Sequence, residues 1–105
     1  MNPNDLQEMM KRAEQMQSRM GDLQKDLSAR SFEASSGGGM VEAKVSGALR
    51  VVSIKIEKSL FAEEDLAMLQ DLVAAAINAA LSKAQESVGQ ELARVQQSML
   101  TGLGN

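Results

Sequence analysis

The sequence contains no cysteine and no histidine among its 105 residues. Disulfide bonds, thiolate nucleophiles, zinc clusters and imidazole acid-base catalysis therefore lack the side chains that they require. The serine and threonine hydroxyls have no histidine base, and the sequence contains no Ser-x-x-Lys pair. We therefore predict that the protein is not an enzyme and that it uses no metal, cofactor or small-molecule substrate.

Long apolar runs are also missing. The longest uncharged apolar stretch covers residues 72–80, far short of the roughly 20 residues that cross a bilayer. The first residues have neither the basic nor the apolar segment of a secretory signal. We therefore expect a cytoplasmic protein that makes no membrane contact.

Aromatic residues and basic charge are both scarce. Phe32 and Phe61 are the only aromatic residues, too few for the stacking platforms that bind single-stranded nucleic acid. The net charge is −3, and no segment of the chain is strongly basic. Charge alone therefore does not indicate a DNA-binding protein. Any DNA contact would have to use local groups of cations such as Lys11, Arg12 and Arg19, repeated by the symmetry of a dimer.

Residues from about 3 to 30 have the pattern of one long helix. Asn2 is a suitable N-cap, Pro3 suits the first helical position, and the helix dipole favours Asp5 in the first turn. The apolar residues alternate spacings of three and four, which is the pattern of a coiled-coil seam that packs on a partner helix. The predicted seam consists of Leu6, Met9, Ala13, Met16, Met20, Leu23 and Leu27.

Residues from about 31 to 57 change to the alternation of three short strands. The apolar side chains fall on one predicted face and the polar side chains on the other, as in an antiparallel sheet with one wet face. The glycine run 37–39 and the pair Gly47-Ala48 separate the strands. A strand follows the glycine run, so the run is typical of a hairpin and not of a phosphate-binding loop. The predicted buried face consists of Phe32, Ala34, Val41, Ala43, Val45, Val52, Ile54 and Ile56.

Residues from about 63 to 100 have the pattern of a second long helix. Glu63, Glu64 and Asp65 are consecutive, so they point around a helix instead of converging on a metal, and we expect them in its first turn. A broad apolar face follows, which suits packing on a sheet. Gly89 interrupts the pattern and is a candidate site for a bend. We expect residues 101–105 to form a flexible tail.

Both predicted helices are longer than the predicted sheet. A helix of about 27 residues is roughly 40 Å long, whereas a strand of about seven residues spans only about 23 Å. The first helix ends where the sheet begins and the second begins where it ends, so we expect them to project side by side as an arm. Their apolar stripes need further cover, which predicts a homodimer. The predicted fold is a single α+β domain over residues 1–105 with the order α-β-β-β-α and a three-stranded antiparallel sheet.

Four segments of the sequence together resemble those of a known bacterial protein family. They are the methionine- and glutamine-rich segment 9–17, the glycine-containing segment 37–47, the segment 52–56 and the alanine-rich segment 69–80. With these segments in this order, the chain resembles the YbaB/EbfC nucleoid-associated proteins, and the resemblance covers nearly its whole length.

The resemblance implies a tweezer-like homodimer with protruding helical arms and the binding of double-stranded DNA in the nucleoid. It assigns the DNA contacts to the arms, which in this sequence correspond to Lys11, Arg12, Arg19, Lys83 and Arg94. No base-reading motif is visible in the sequence. We therefore expect contacts mainly with the phosphate backbone and little sequence specificity.

A protein-binding function is an alternative interpretation of the two helical arms. Prefoldin-like chaperones also combine long helices with short strands, and they hold unfolded chains at the helix tips. An adaptor that docks replication or repair proteins would use the same arms. The chaperone function needs exposed apolar surface at the tips, and the candidate residues are Met9, Met10, Met99, Leu100 and Leu103.

Overall fold

The computed structural model describes residues 2–103, which form two long helices and one three-stranded antiparallel sheet. In chain order the elements are α1 (Pro3–Ala29), β1 (Ser31–Ser36), β2 (Val41–Ser46), β3 (Val51–Ile56) and α2 (Leu66–Leu103). Two short 3₁₀ turns, Gly37–Gly39 and Lys58–Ala62, precede β2 and α2. The predicted α+β fold and its α-β-β-β-α order are confirmed.

Helix α1 begins as its sequence predicts. The Asn2 side chain accepts a hydrogen bond from the backbone N–H of Asn4 at 3.3 Å. Pro3 follows at the start of the helix, where backbone N–H groups have no partner within the helix. The missing N–H of proline therefore costs no hydrogen bond there. The helix ends at Ala29 because Arg30 turns to an extended conformation and leads directly into β1.

The three strands pair in sequence order as two antiparallel hairpins. The first hairpin turns through Gly37–Gly39, in which all three glycines have positive φ angles, from 60° to 95°. Side chains are strained in that left-handed region, so the glycine run permits a compact turn. A Cβ atom on Gly37 would also lie 3.1 Å from a methyl group of Leu72, because this turn packs against α2.

The core lies between the central strand β2 and one stripe of α2. Every second residue of β2 is completely buried, namely Val41, Ala43 and Val45. Every fourth residue along the facing part of α2 is also completely buried, and we call Ala76, Ala80 and Ala84 the alanine stripe. Because alanine has a short side chain, the helix can approach the sheet closely, and larger half-buried residues of α2 and β1 pack around the contact.

The start of α2 differs from its prediction. The acidic residues expected in the first turn instead precede the helix, because a 3₁₀ turn and the extended residue Glu63 intervene before α2 begins at Leu66. The Asp65 carboxylate accepts a hydrogen bond from the backbone N–H of Met68 at 2.9 Å. Asp65 therefore caps the helix from outside its first turn.

The C-terminal end of α2 extends further than predicted. The helix continues through Leu103, so residues 101–103 are helical although the sequence indicates a flexible tail there. Gly104 and Asn105 lie outside the described residues. The helix also runs through Gly89 as one element.

The third strand is less buried than its sequence predicts. Helix α2 lies over β1 and β2, so β3 forms an uncovered edge, and Val52 is 58% exposed. The pairing of β2 with β3 also shifts register, so that Val45 lies opposite Val51. The predicted burial is therefore wrong for Val52 and Ile54, which are exposed because the shift interrupts the alternation and α2 does not lie over this strand, whereas Ile56 is half-buried against the core.

Two hydrogen bonds mark the part of α2 that lies on the sheet. The Ser36 hydroxyl donates to the backbone carbonyl of Leu72. Further along α2, the Lys83 ammonium donates to the backbone carbonyl of Glu33 at 3.1 Å. A helix of 38 residues is about 57 Å long, whereas a strand of six residues spans about 20 Å. From residue 85 onward, α2 therefore extends past the sheet.

Helix α1 projects from the same end of the sheet. The carbonyl of Arg30 accepts a hydrogen bond from the N–H of Gly47, in the turn between β2 and β3, at 2.9 Å. The molecule measures 75 × 20 × 15 Å, too narrow for two helices that diverge. Helix α1 and residues 85–103 of α2 therefore run side by side, and we call them the arm.

Only the C-terminal half of the predicted seam on α1 is shielded from solvent, although α1 and α2 do not pack closely on each other. Met16, Met20 and Leu23 are half-buried and Leu27 is buried, while a half-buried stripe on α2 occupies the same stretch of the arm, formed by Val88, Leu92, Val95 and Met99. The N-terminal seam residues Leu6, Met9 and Ala13 are exposed. The arm part of α2 spans about 28 Å against about 40 Å for α1, so the first turns of α1 extend beyond the end of α2.

Gly47 and Gly89 give opposite predictions for substitution by alanine. A Cβ atom on Gly47 would overlap the backbone carbonyl oxygen of Leu27, so Gly47→Ala is expected to lower the free energy of unfolding by about 3 kcal/mol. A Cβ atom on Gly89 meets open space, so Gly89→Ala is expected to raise it by about 1 kcal/mol. Urea denaturation measures both values. A neutral effect of Gly47→Ala would contradict the close contact between α1 and this turn.

Candidate nucleic-acid interface

Three of the predicted DNA-binding residues lie exposed on α1. Arg12 and Arg19 are seven residues apart, so they lie on the same side of the helix, about two turns and about 10 Å apart. Lys11 lies on an adjacent side. No ion pair among residues 2–103 involves any of these three side chains. Their charged groups are therefore open to an anion.

The two candidates on α2 are engaged in intramolecular bonds. Lys83 donates to the backbone carbonyl of Glu33, which places it beside the sheet at the base of the arm. Arg94 lies on the arm, where its guanidinium pairs with the carboxylate of Glu91. The Arg94 side chain is 74% exposed and that of Glu91 only 23%. The structure thus brings Arg94, but not Lys83, onto the same arm as the α1 cations.

The open face of the sheet offers little positive charge. The ammonium of Lys44 lies 3.6 Å from the carboxylate of Glu33 on the neighbouring strand. Lys55 lies directly opposite Glu42 in the ladder. Each lysine on this face therefore has an acidic neighbour that offsets its charge, which disfavours the sheet as a phosphate-binding surface.

A row of polar residues on α2 was not singled out from the sequence, apart from its member Arg94. Gln90, Arg94, Gln97 and Thr101 are exposed and are spaced four, three and four residues apart, and we call them the amide strip. This spacing places them on one side of the helix. They line a shallow groove with Ala93 and Ser98. Helical periodicity of the glutamines is the signal that could have indicated this strip.

Two apolar surfaces remain exposed. The first, which we call the tip patch, consists of Leu6, Met9, Met10 and Leu100 near the free ends of the two helices. Met99 is half-buried, and the side chain of Leu103 lies outside those described. The second, which we call the β3 surface, consists of Leu49, Val51, Val52 and Ile54. Leu49 has a φ angle of 64°, a strained conformation for a branched residue.

Residues 2–103 contain neither a cluster of metal-binding side chains nor a membrane-spanning helix. No group of three or more acidic side chains in this range is arranged to hold a metal ion. Neither helix has, within this range, a stretch both long and apolar enough to cross a membrane.

Comparison with protein families and individual proteins gives a consistent result. Residues 1–99 match the family model described as the YbaB/EbfC DNA-binding family. A nucleoid-associated protein of Syntrophobacter fumaroxidans is 40% identical over 86 residues, which cover 82% of this chain and 78% of the relative. One from Alkaliphilus metalliredigens is 43% identical over 93 residues, which cover 89% of this chain and 81% of the relative. One from Lachnoclostridium phytofermentans is 41% identical over 103 residues, or 98% and 83% of the two chains.

A solved structure also resembles this fold. The crystal structure of a protein from Helicobacter pylori superposes with a TM-score of 0.62 at 26% sequence identity. The superposition covers 77% of this chain and 93% of that chain. The similarity therefore includes most of both molecules.

Proposed function

The chain belongs to the YbaB/EbfC DNA-binding family, and from this premise we propose that it binds double-stranded DNA in the nucleoid as a homodimer. The proposed contacts are mainly with the phosphate backbone and have little sequence specificity. They lie on the arm, with Lys11, Arg12 and Arg19 as the principal residues. Arg94 and Lys83 contribute less, because each already bonds within the chain.

The observation that carries this proposal is the exposure of Arg12 and Arg19 on one side of α1 without an ion-pair partner among the described residues. A guanidinium presents N–H groups in a planar fork that fits phosphate oxygens. Contacts of this kind position a protein on a duplex but carry no sequence information directly. Weak sequence specificity follows from their chemistry.

The β3 surface supports the proposed homodimer. β3 is an edge strand whose apolar residues are exposed in the single chain. An exposed apolar edge is prone to pair with another chain, and a second copy would cover it with the same residues. The exposed Leu49 side chain, in the turn before β3, extends this surface. A two-fold axis here would present two arms, and therefore two sets of cations, to one duplex.

The tip patch supports a second candidate function, the binding of protein partners. Met9 and Met10 are 57% and 58% exposed on turns of α1 that extend beyond α2. Methionine side chains adapt to irregular partners. A prefoldin-like chaperone or an adaptor for replication or repair proteins would use this patch to hold its partner.

DNA binding is tested by the salt dependence of affinity. We expect the anisotropy of a labelled random-sequence duplex to report binding that weakens from about 50 mM to about 200 mM salt. The double variant Arg12→Ala/Arg19→Ala should make the slope of log K against log salt shallower by about two units for each arm engaged. Each lost phosphate contact reduces the magnitude of this slope by about 0.9. Lys44→Ala/Lys55→Ala on the sheet is the control, because it removes the same charge.

An unchanged slope in the arginine variant, together with a flatter slope in the lysine variant, would place the contacts on the sheet and contradict the proposal. Absence of binding by the folded wild-type protein at both salt concentrations would contradict DNA binding itself.

The homodimer is tested by sedimentation equilibrium at micromolar concentration. We expect a mass twice the 11.3 kDa of one chain. Val52→Asp should shift the mass toward one chain because it places a charge in the apolar contact, whereas Ser53→Asp on the next residue should not. A wild-type mass of one chain would contradict the homodimer, and an unaltered Val52→Asp dimer would place its contact elsewhere.

The two candidate functions are separated by an aggregation assay with a thermally unfolded client protein. DNA binding as the main function predicts that the wild-type protein leaves client aggregation unchanged. Suppression of aggregation that is lost in Met9→Gln/Met10→Gln, measured by light scattering, would instead favour the protein-binding function.

A further inference from the structure

The low charge of the arm leaves few ionic contacts for DNA. Helix α1 carries five acidic and four basic side chains, and the whole chain carries a net charge of −3. On the α2 side of the arm, the charge of Arg94 is offset by Glu91. Counterion release, which follows from cationic contacts to phosphates, is therefore limited. Hydrogen bonds from uncharged groups would add affinity without adding charge.

The amide strip is the part of the arm best placed to supply such bonds. It lies on the side of α2 opposite the half-buried stripe that contains Val88 and Leu92, so it faces away from α1. From Gln90 to Thr101 it extends over about 16 Å. The small residue Ala93 lies between its side chains and leaves room for a ligand in the groove.

The donors of this strip can be assigned individually. The Thr101 hydroxyl donates to the backbone carbonyl of Gln97 at 2.9 Å, so its hydrogen is already in use. The side-chain amides of Gln90 and Gln97 each have two N–H groups. The Arg94 guanidinium gives one of its N–H groups to Glu91 and has others remaining. Glu91 thus offsets part of the charge of Arg94, whose remaining donors stay exposed at the surface.

We propose that the amide strip is a second DNA-contacting surface, in which Gln90, Gln97 and the ion-paired Arg94 donate hydrogen bonds to phosphate oxygens of the duplex. The inference rests on the proposed function and adds the glutamine amides of α2 to the cations already proposed. Glutamine side chains make such phosphate contacts in protein complexes with DNA.

This surface has a signature that differs from that of the α1 arginines. A hydrogen bond from an uncharged amide displaces no counterion, so its loss weakens binding by a similar factor at every salt concentration. Loss of an arginine contact changes the salt slope as well. The two surfaces are therefore separable in one titration series.

The test compares two double variants of α2 in the full-length protein by duplex anisotropy over the same salt range. Gln90→Ala/Gln97→Ala removes the amides of the strip. Gln85→Ala/Gln96→Ala is the matched control, because these exposed glutamines lie about a third of a turn away from the strip. Alanine has a higher helix propensity than glutamine, so both variants are expected to fold, which circular dichroism checks.

We expect the strip variant to bind about tenfold more weakly at each salt concentration, with the wild-type salt slope, and the control to bind as the wild type does. Unchanged affinity of the strip variant, equal weakening by the control, or a flatter slope would each overturn the inference. In those cases the wild-type protein still binds DNA, so the proposed function stands. Failure of the wild-type protein to bind would overturn both.

Discussion

The contact between the alanine stripe of α2 and the central strand β2 is the interaction on which the rest of the structure depends. Ala76, Ala80 and Ala84 are completely buried, and they fix the direction in which α2 leaves the sheet. Because α2 is far longer than the strands, this direction places its second half beside α1. The same contact leaves β3 uncovered. The arm and the exposed edge strand are thus two consequences of one packing arrangement.

The distribution of charge explains how a protein with a net charge of −3 could bind DNA. The sheet lysines face acidic neighbours and Arg94 is paired with Glu91, while Arg12 and Arg19 stand exposed on α1. DNA binding would therefore depend on this small group of exposed cations and not on a net positive surface. A dimer would repeat this local group, and the amide strip would add hydrogen bonds that need no charge.

The sequence predicts those features that depend on neighbours along the chain. The cap at Asn2, the alternation of β1 and β2 and the element order follow from local patterns, and the structure agrees with them. The exposure of Val52 could not be predicted, because it depends on where α2 crosses the sheet. For the same reason, the sequence places Lys83 and Arg94 on helices but cannot reveal that Glu33 and Glu91 engage them. The sequence therefore predicts which cations belong to the candidate site, but not how they are arranged or what they contact.

The central claim is that the arm, and not the sheet, contacts DNA. An NMR titration of the isotope-labelled protein with a short random-sequence duplex tests it residue by residue. DNA binding by the arm predicts chemical-shift changes concentrated around Arg12 and Arg19 of α1 and around Gln90 to Gln97 of α2, with the open face of the sheet unchanged. Changes centred on Lys44 and Lys55, with the arm unaffected, would contradict it.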